Sequence, residues 1–202
     1  MPVVILASGS PRRRELLGRI CGEFRVVASG IEEVLEGEPT AGAVAEVALA
    51  KARAVAGHVG EGIVLGADTV VVIDGEALGK PAGPDAARVM LRRLRGRAHE
   101  VITGVAVVDA ASGRSEVTAV RTRVLMANVS DAEVDAYVSS GEPLDKAGGY
   151  GIQGAGGALV AGFAGSYSNV VGLPLQATAT LLNAFGVPVT WPRQDPDARP
   201  PA

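Results

Sequence analysis

Short apolar runs alternate with amphipathic segments along this chain, and their order predicts its elements. Residues 3–7 are apolar throughout, too short for a helix and closed by Ser8-Gly9-Ser10, which reads as a buried strand. Ser10 and Pro11 then supply an N-cap and a first helical residue ahead of Arg12-Arg13-Arg14-Glu15-Leu16-Leu17. A second strand is expected near 24–28, and a longer helix over about 43–56. On that helix Val44, Val47, Ala48 and Val55 share one stripe, and Lys51 falls in the middle of it. Ile63-Val64-Leu65 and Val70-Val71-Val72-Ile73 form a hydrophobic strand interrupted by Gly66-Ala67-Asp68-Thr69, with Asp74-Gly75 as a turn signal after it. Pro84 and Asp85 open a helix carrying Val89, Met90, Leu91 and Leu94. Residues 101–108 then form a strand, and half-alternating 116–125 its antiparallel partner. Ser130-Asp131-Ala132-Glu133 has the form of a capping box before Val134, Tyr137 and Val138, with Gly141 as the stop. A glycine-rich stretch, 148–165, precedes Pro174 and a last helix bearing Leu181, Leu182 and Phe185. Strands and helices alternate with one hairpin breaking the order, which predicts an α/β fold: a mixed twisted sheet with flanking helices.

Composition narrows the function classes. With 202 residues, 48% of them hydrophobic, the chain is long enough to bury roughly 70% of the surface its unfolded form exposes. One domain over 1–188 is expected, followed by a proline-rich polar tail, 189–202, expected to be disordered. Nineteen Lys and Arg against 22 Asp and Glu leave a net charge of −3, no basis for a broad surface that attracts nucleic acid polymers or anionic membranes. The single Cys21, with only His58 and His99, excludes an internal disulfide and a structural zinc site. No run reaches the ~18 apolar residues of a membrane span. The opening apolar run lacks preceding basic residues and is shorter than a signal-peptide core, so a soluble, cytoplasmic protein is expected. Glycine, at 27 residues, is nearly twice its usual share of about 7%, and it gathers in loops where backbone can approach a ligand.

Several residues are candidates for chemistry. Ser8 to Arg13 set two hydroxyls, backbone N–H groups and two guanidiniums at a helix N-terminus, a geometry suited to an anion such as phosphate. Gly75-Glu76-Ala77-Leu78-Gly79-Lys80 is one residue short of a P-loop and runs into Pro81, so Lys80 stands alone. Gly149-Tyr150-Gly151-Ile152-Gln153-Gly154 matches a dinucleotide fingerprint, yet it follows Pro143-Leu144-Asp145-Lys146 instead of a strand and leads into further glycines. A carboxylate at Asp68, among β-branched residues, must be paired, hydrogen-bonded or metal-bound. Lys51 is expected to face a cleft beside Asp68, so that its removal would spare a poorly hydrated charge and keep or raise stability.

Six separated blocks now resemble a known family: Ser8-Gly9-Ser10-Pro11-Arg12-Arg13 with Glu15-Leu16-Leu17, Gly66-Ala67-Asp68-Thr69-Val70-Val71, Leu78-Gly79-Lys80-Pro81, Thr103-Gly104-Val105, Lys146 through Gly154, and Gly165 through Leu175. In this order they are similar to the Maf family of nucleoside triphosphate pyrophosphatases, over about 3–188. The resemblance implies two lobes around a central cleft, a fold similar to inosine triphosphatase, often a homodimer, and hydrolysis between the α and β phosphates. It implies Asp68 as proton acceptor, Arg12, Arg13, Lys51 and Lys80 along the triphosphate, and Glu33 at the metal. Arg12, Thr69 and Gln153 match the specificity positions of the branch similar to dTTP/UTP pyrophosphatases. The 7-methyl-GTP branch typically has Trp in place of this Arg and Gln in place of this Thr. A triphosphate needs a divalent cation, Mg²⁺ with Mn²⁺ or Co²⁺ as alternatives, for which Glu33 and Asp68 offer oxygen ligands. Two other functions stay open: a nucleotide-binding regulator of cell division without turnover, and a house-cleaning pyrophosphatase for modified nucleotides.

Overall fold

The computed structural model describes residues 2–31 and 37–191. Strand β1 (Val4–Leu6) is buried at every position, and Ser8-Gly9-Ser10 turns the chain into helix α1 (Pro11–Gly18), where Ser10 Oγ accepts from the Arg13 N–H. Strand β2 (Phe24–Val26) lies parallel to β1. Helix α2 (Ala41–Val59) is longer at both ends than periodicity indicates, because Thr40 caps its start through the Ala43 N–H and Gly60, at φ 73°, ends it.

Strand β3 (Ile63–Ile73) runs unbroken through Gly66-Ala67-Asp68-Thr69, where the sequence suggests an interruption. The partner is the reason: strand β5 (Ala98–Asp109) pairs antiparallel with it from Ile63 to Val72. Between them Asp74 and Gly75, both left-handed at φ 56° and 79°, make the turn into a short strand β4 (Glu76–Leu78). Helix α3 (Pro84–Leu94) buries Ala87, Leu91 and Leu94, whereas Val89 is 65% exposed. Strand β6 (Ser115–Met126) follows, then helix α4 (Asp131–Ser139), whose Ser130–Glu133 capping box is complete. Strand β7 (Val160–Ala164) forms inside the glycine-rich stretch, paired with β6. Helix α5 (Tyr167–Val171) precedes the last helix, α6 (Leu175–Ala184).

The sheet order is β2-β1-β3-β5-β6-β7, with β4 also on β3, and among the described residues only the two pairings of β1 are parallel. The mixed sheet with flanking helices is therefore as expected. One face of it carries two cores, sorted by position along β3. Leu65 and Ala67 pack with Leu16, Leu17 and Leu182, while Val71 and Ile73 pack with Leu91, Leu94 and Val134. The opposite face packs against α2 through Val64, Ala106, Ala48 and Ala52.

Glycine makes that last contact close. A Cβ on Gly66 would stand 2.3 Å from the Ala48 carbonyl oxygen, and one on Gly104 would stand 2.4 Å from that of Val44. The missing side chains let α2 lie directly on β3 and β5, bringing Lys51 down to the sheet.

The same edge of β3 is shared by two short partners: β1 covers Ile63 to Leu65, and β4 covers Val71 to Ile73. Residues 66–70 between them have β5 on one side only, among the described residues. Successive side chains alternate faces there, so Asp68 turns toward α2 and Thr69 toward the gap between the two cores. Of the expected tail, residues 192–202 lie outside the described residues, while the Thr190 N–H donates to the Ile20 carbonyl at 2.9 Å. Among the described residues no helix is long and apolar enough to cross a membrane.

Candidate active site

A cleft of about 840 Å³ opens at the bare edge of β3. Ser8, Ser10, Arg12, Arg13, Asp68, Thr69, Lys80 and Gln153 all line it, so four segments far apart in sequence converge as the motifs suggest. Glu33 lies outside the described residues. Lys51 is not on the cleft wall. It is 3% exposed and sits behind Asp68, donating from Nζ to Oδ1 at 2.6 Å.

The anion-suited corner is preorganised. Ser8 Oγ accepts from the Ser10 N–H at 3.2 Å and from Arg13 Nη1 at 3.3 Å. Arg13, itself mostly buried, also donates from Nε to the Gly172 carbonyl at 2.9 Å and from Nη2 to Thr69 Oγ1 at 3.1 Å. Every nitrogen of its guanidinium is thus engaged, which fixes the plane of the group at the first turn of α1. Thr69 in turn bonds Thr103 across the strand pair at 2.9 Å.

Two acidic residues reach across the cleft mouth. Asp145 Oδ2 accepts from Arg12 Nη1 at 2.9 Å, and Glu15 Oε2 accepts from Gln153 Nε2 at 3.1 Å. Burial raises the Asp145 carboxyl, but the bonds from Lys146 and Arg12 outweigh it and hold the group below its ordinary range. Asp145 and Lys146 are cleft residues that sequence reasoning passed over, although they stand as adjacent charges directly before the glycine-rich loop.

That loop owes its glycines to the protein more than to a ligand. Glu142 accepts from the Ala155 and Gly156 N–H groups at 2.9 and 3.2 Å and from the Tyr137 hydroxyl at 3.0 Å. A Cβ on Gly154 would meet Glu142 at 2.5 Å, and one on Gly151 would meet Lys146 at 2.6 Å. Gln153 is thereby presented on a loop wrapped around a carboxylate.

With this geometry in view, comparison with known proteins is decisive for the family. The Maf-like protein family matches residues 3–185. The chain belongs to the Maf family. A Moorella thermoacetica protein named dTTP/UTP pyrophosphatase is 54% identical over 194 residues, covering 96% of this chain and 100% of the relative. Proteins of the same name from Anaeromyxobacter dehalogenans and Myxococcus xanthus are 53% and 50% identical, each covering 94% of this chain and 97% and 95% of their own lengths. Among solved structures, the Ham1 protein of Staphylococcus aureus has a TM-score of 0.45 at 14% identity, over 62% of this chain and 72% of that one. At that level it decides neither fold nor chemistry. The Maf motifs account for the strand edge, the α1 corner and the Gln153 loop, and all three meet at one cleft.

Proposed function

We propose that this Maf-family chain hydrolyses nucleoside triphosphates between the α and β phosphates, with dTTP and UTP preferred. The observation that carries the reading is Asp68: a nearly buried carboxylate at the bare edge of β3, open to a cleft whose walls bring Arg12, Arg13 and Lys80. A triphosphate carries about four negative charges, which a chain of net charge −3 must meet with cations gathered locally. Relatives at about half identity carry the matching name.

In this reading the phosphates lie along the first turn of α1, held by Arg13 and Arg12, with Lys80 opposite. Lys51 holds Asp68 Oδ1, which leaves Oδ2 to take the proton of an attacking water. The water oxygen bonds to phosphorus, the bond to the bridging oxygen breaks, and pyrophosphate leaves with the electron pair. Among the described residues no three His, Cys, Asp or Glu stand together as a ready-made metal cage. A divalent cation carried in by phosphates needs only one or two protein carboxylates, so Asp68 fits, with Glu33 as the second ligand. The cation, Mg²⁺ or its substitutes, would neutralise charge on the leaving pyrophosphate.

The test is pyrophosphate release from dTTP, UTP, ATP and GTP with Mg²⁺, on wild type and Gln153→Ala. Faster pyrimidine turnover, with the gap narrowed in the variant, is expected. A purine preference would overturn the base assignment, and binding without any release would favour a non-catalytic regulator.

A further inference from the structure

Thr69 and Thr103 face each other across β3 and β5, and the proton order between them is set by a third group. Thr103 Oγ1 lies 3.0 Å from the carbonyl oxygen of Asn169, an atom that accepts and never donates. A hydroxyl has one proton, so Thr103 spends its own on Asn169 and must accept from Thr69, 2.9 Å away. The Thr69 proton is then committed as well, and Arg13 Nη2 donates to the same oxygen at 3.1 Å. What Thr69 has left for the cleft, among the described residues, is a lone pair.

Nothing in this chain of bonds is loose. Thr103 and Asn169 are both fully buried. Asn169 Nδ2 donates to the Val101 carbonyl and to Thr122 Oγ1, each at 3.0 Å, which pins α5 to the sheet and its carbonyl onto Thr103. That carbonyl belongs to the last turn of a helix, where no intrahelical donor reaches it.

We propose that Thr103, oriented by the Asn169 carbonyl, is a positioning residue that makes Thr69 an obligate acceptor, so that the cleft selects a substrate group that donates there. A phosphate oxygen does not satisfy that demand. The imide N–H of uracil or thymine does, and the corresponding ring nitrogen of cytosine, an acceptor, is refused. A sugar hydroxyl is the other donor a nucleotide offers. The inference rests on the pyrimidine reading above and adds to it a discrimination within the pyrimidines.

The experiment measures kcat and KM for UTP, dUTP and CTP on wild type, Thr103→Val and Thr103→Ser. A misdirected buried hydrogen bond is worth roughly tenfold or more in selectivity. Expected are a wild type that favours UTP over CTP by at least that factor, a valine variant in which the ratio collapses mainly through KM, and a serine variant that restores it. Equal handling of UTP and CTP by wild type, equal losses for both nucleotides in the valine variant, or failure of serine to restore the ratio would each overturn the proposal. A ratio of UTP to dUTP that collapses in its place would assign the donor to the sugar and overturn the base reading. Thr103→Cys, whose thiol is a weak donor, replaces the valine variant if that fails to fold, with an intermediate ratio expected and an unchanged one overturning the idea. A wild type that releases no pyrophosphate would remove the proposed activity alone, and the same ratios read as Kd by calorimetry would still decide the role of Thr103.

Discussion

Lys51 Nζ lies 2.6 Å from Asp68 Oδ1, and both side chains are only 4% exposed. A helix and a strand edge are thereby joined at the carboxylate on which the proposed chemistry turns. The pair is buried on the protein side while Asp68 also borders the cleft, so in the proposed reading Lys51 works through Asp68.

Removing the lysine should therefore destabilise the fold, contrary to what its apolar stripe suggests. Lys51→Met would leave the Asp68 carboxylate buried without its ion-pair partner, a loss of about 3–5 kcal/mol for a buried pair broken on one side. Lys51→Met combined with Asp68→Leu should recover most of it. Chemical denaturation of the two singles and the double measures the coupling, and additive losses would dismiss it.

Asp68→Asn should lower kcat by about 10²–10⁴ if Asp68 takes the proton of water. Because the amide also removes the charge that the Lys51 ammonium faces at 2.6 Å, the melting temperature should fall as well. Rates are best read well below that transition, where a folded variant of near-normal kcat would refute the role.

Gly104→Ala should be costly, since the new Cβ would fall 2.4 Å from the Val44 carbonyl oxygen and 2.7 Å from the Ala45 backbone. Forcing a methyl into a close-packed interface costs about 1–3 kcal/mol or more, and lifting α2 draws Lys51 away from Asp68. The control is Gly57→Ala on the same helix, where nothing stands within 4 Å. There alanine should stabilise by about 0.5–1 kcal/mol through helix propensity.

Acid sensitivity should trace to His99. Burial lowers its pKa from 6.5 to about 4, while Nε2 lies 2.7 Å from the Tyr150 hydroxyl. The unfolded chain takes up this proton near pH 6.5 and the folded one only near 4. Between those values acid favours unfolding; stability is greatest above the window and the full penalty is reached below it. About 1.4 kcal/mol per pH unit gives at most about 3 kcal/mol across it. His99→Gln, which can still bond Tyr150, should flatten that limb of the stability curve. An unchanged acid limb would place the sensitivity elsewhere.

Local patterns were enough for the elements whose signals are local. Ser10 with Pro11, the Asp74-Gly75 turn and the Ser130–Glu133 box each act within a few residues of chain, and each forms where the sequence puts it. Strand β7 and the unbroken course of β3 were not legible in this way. Glycines and short polar residues disfavour strands by themselves, and here the backbone is held extended by partners remote in sequence: β6 for Val160 to Ala164, and β5 for Gly66 to Thr69.

The same division runs through the site. Residue types in six ordered blocks determined the family, the anion-suited start of α1 and the singular carboxylate at Asp68, because chemistry of that kind resides in side chains. Only the tertiary structure decided what each side chain faces. It set Lys51 behind Asp68, tied Arg12 to Asp145 and Gln153 to Glu15, and turned Thr69 toward Thr103. Facing is fixed by strand register and by the closeness of α2 to Gly66 and Gly104, and both depend on contacts between residues tens of positions apart, which no local pattern carries.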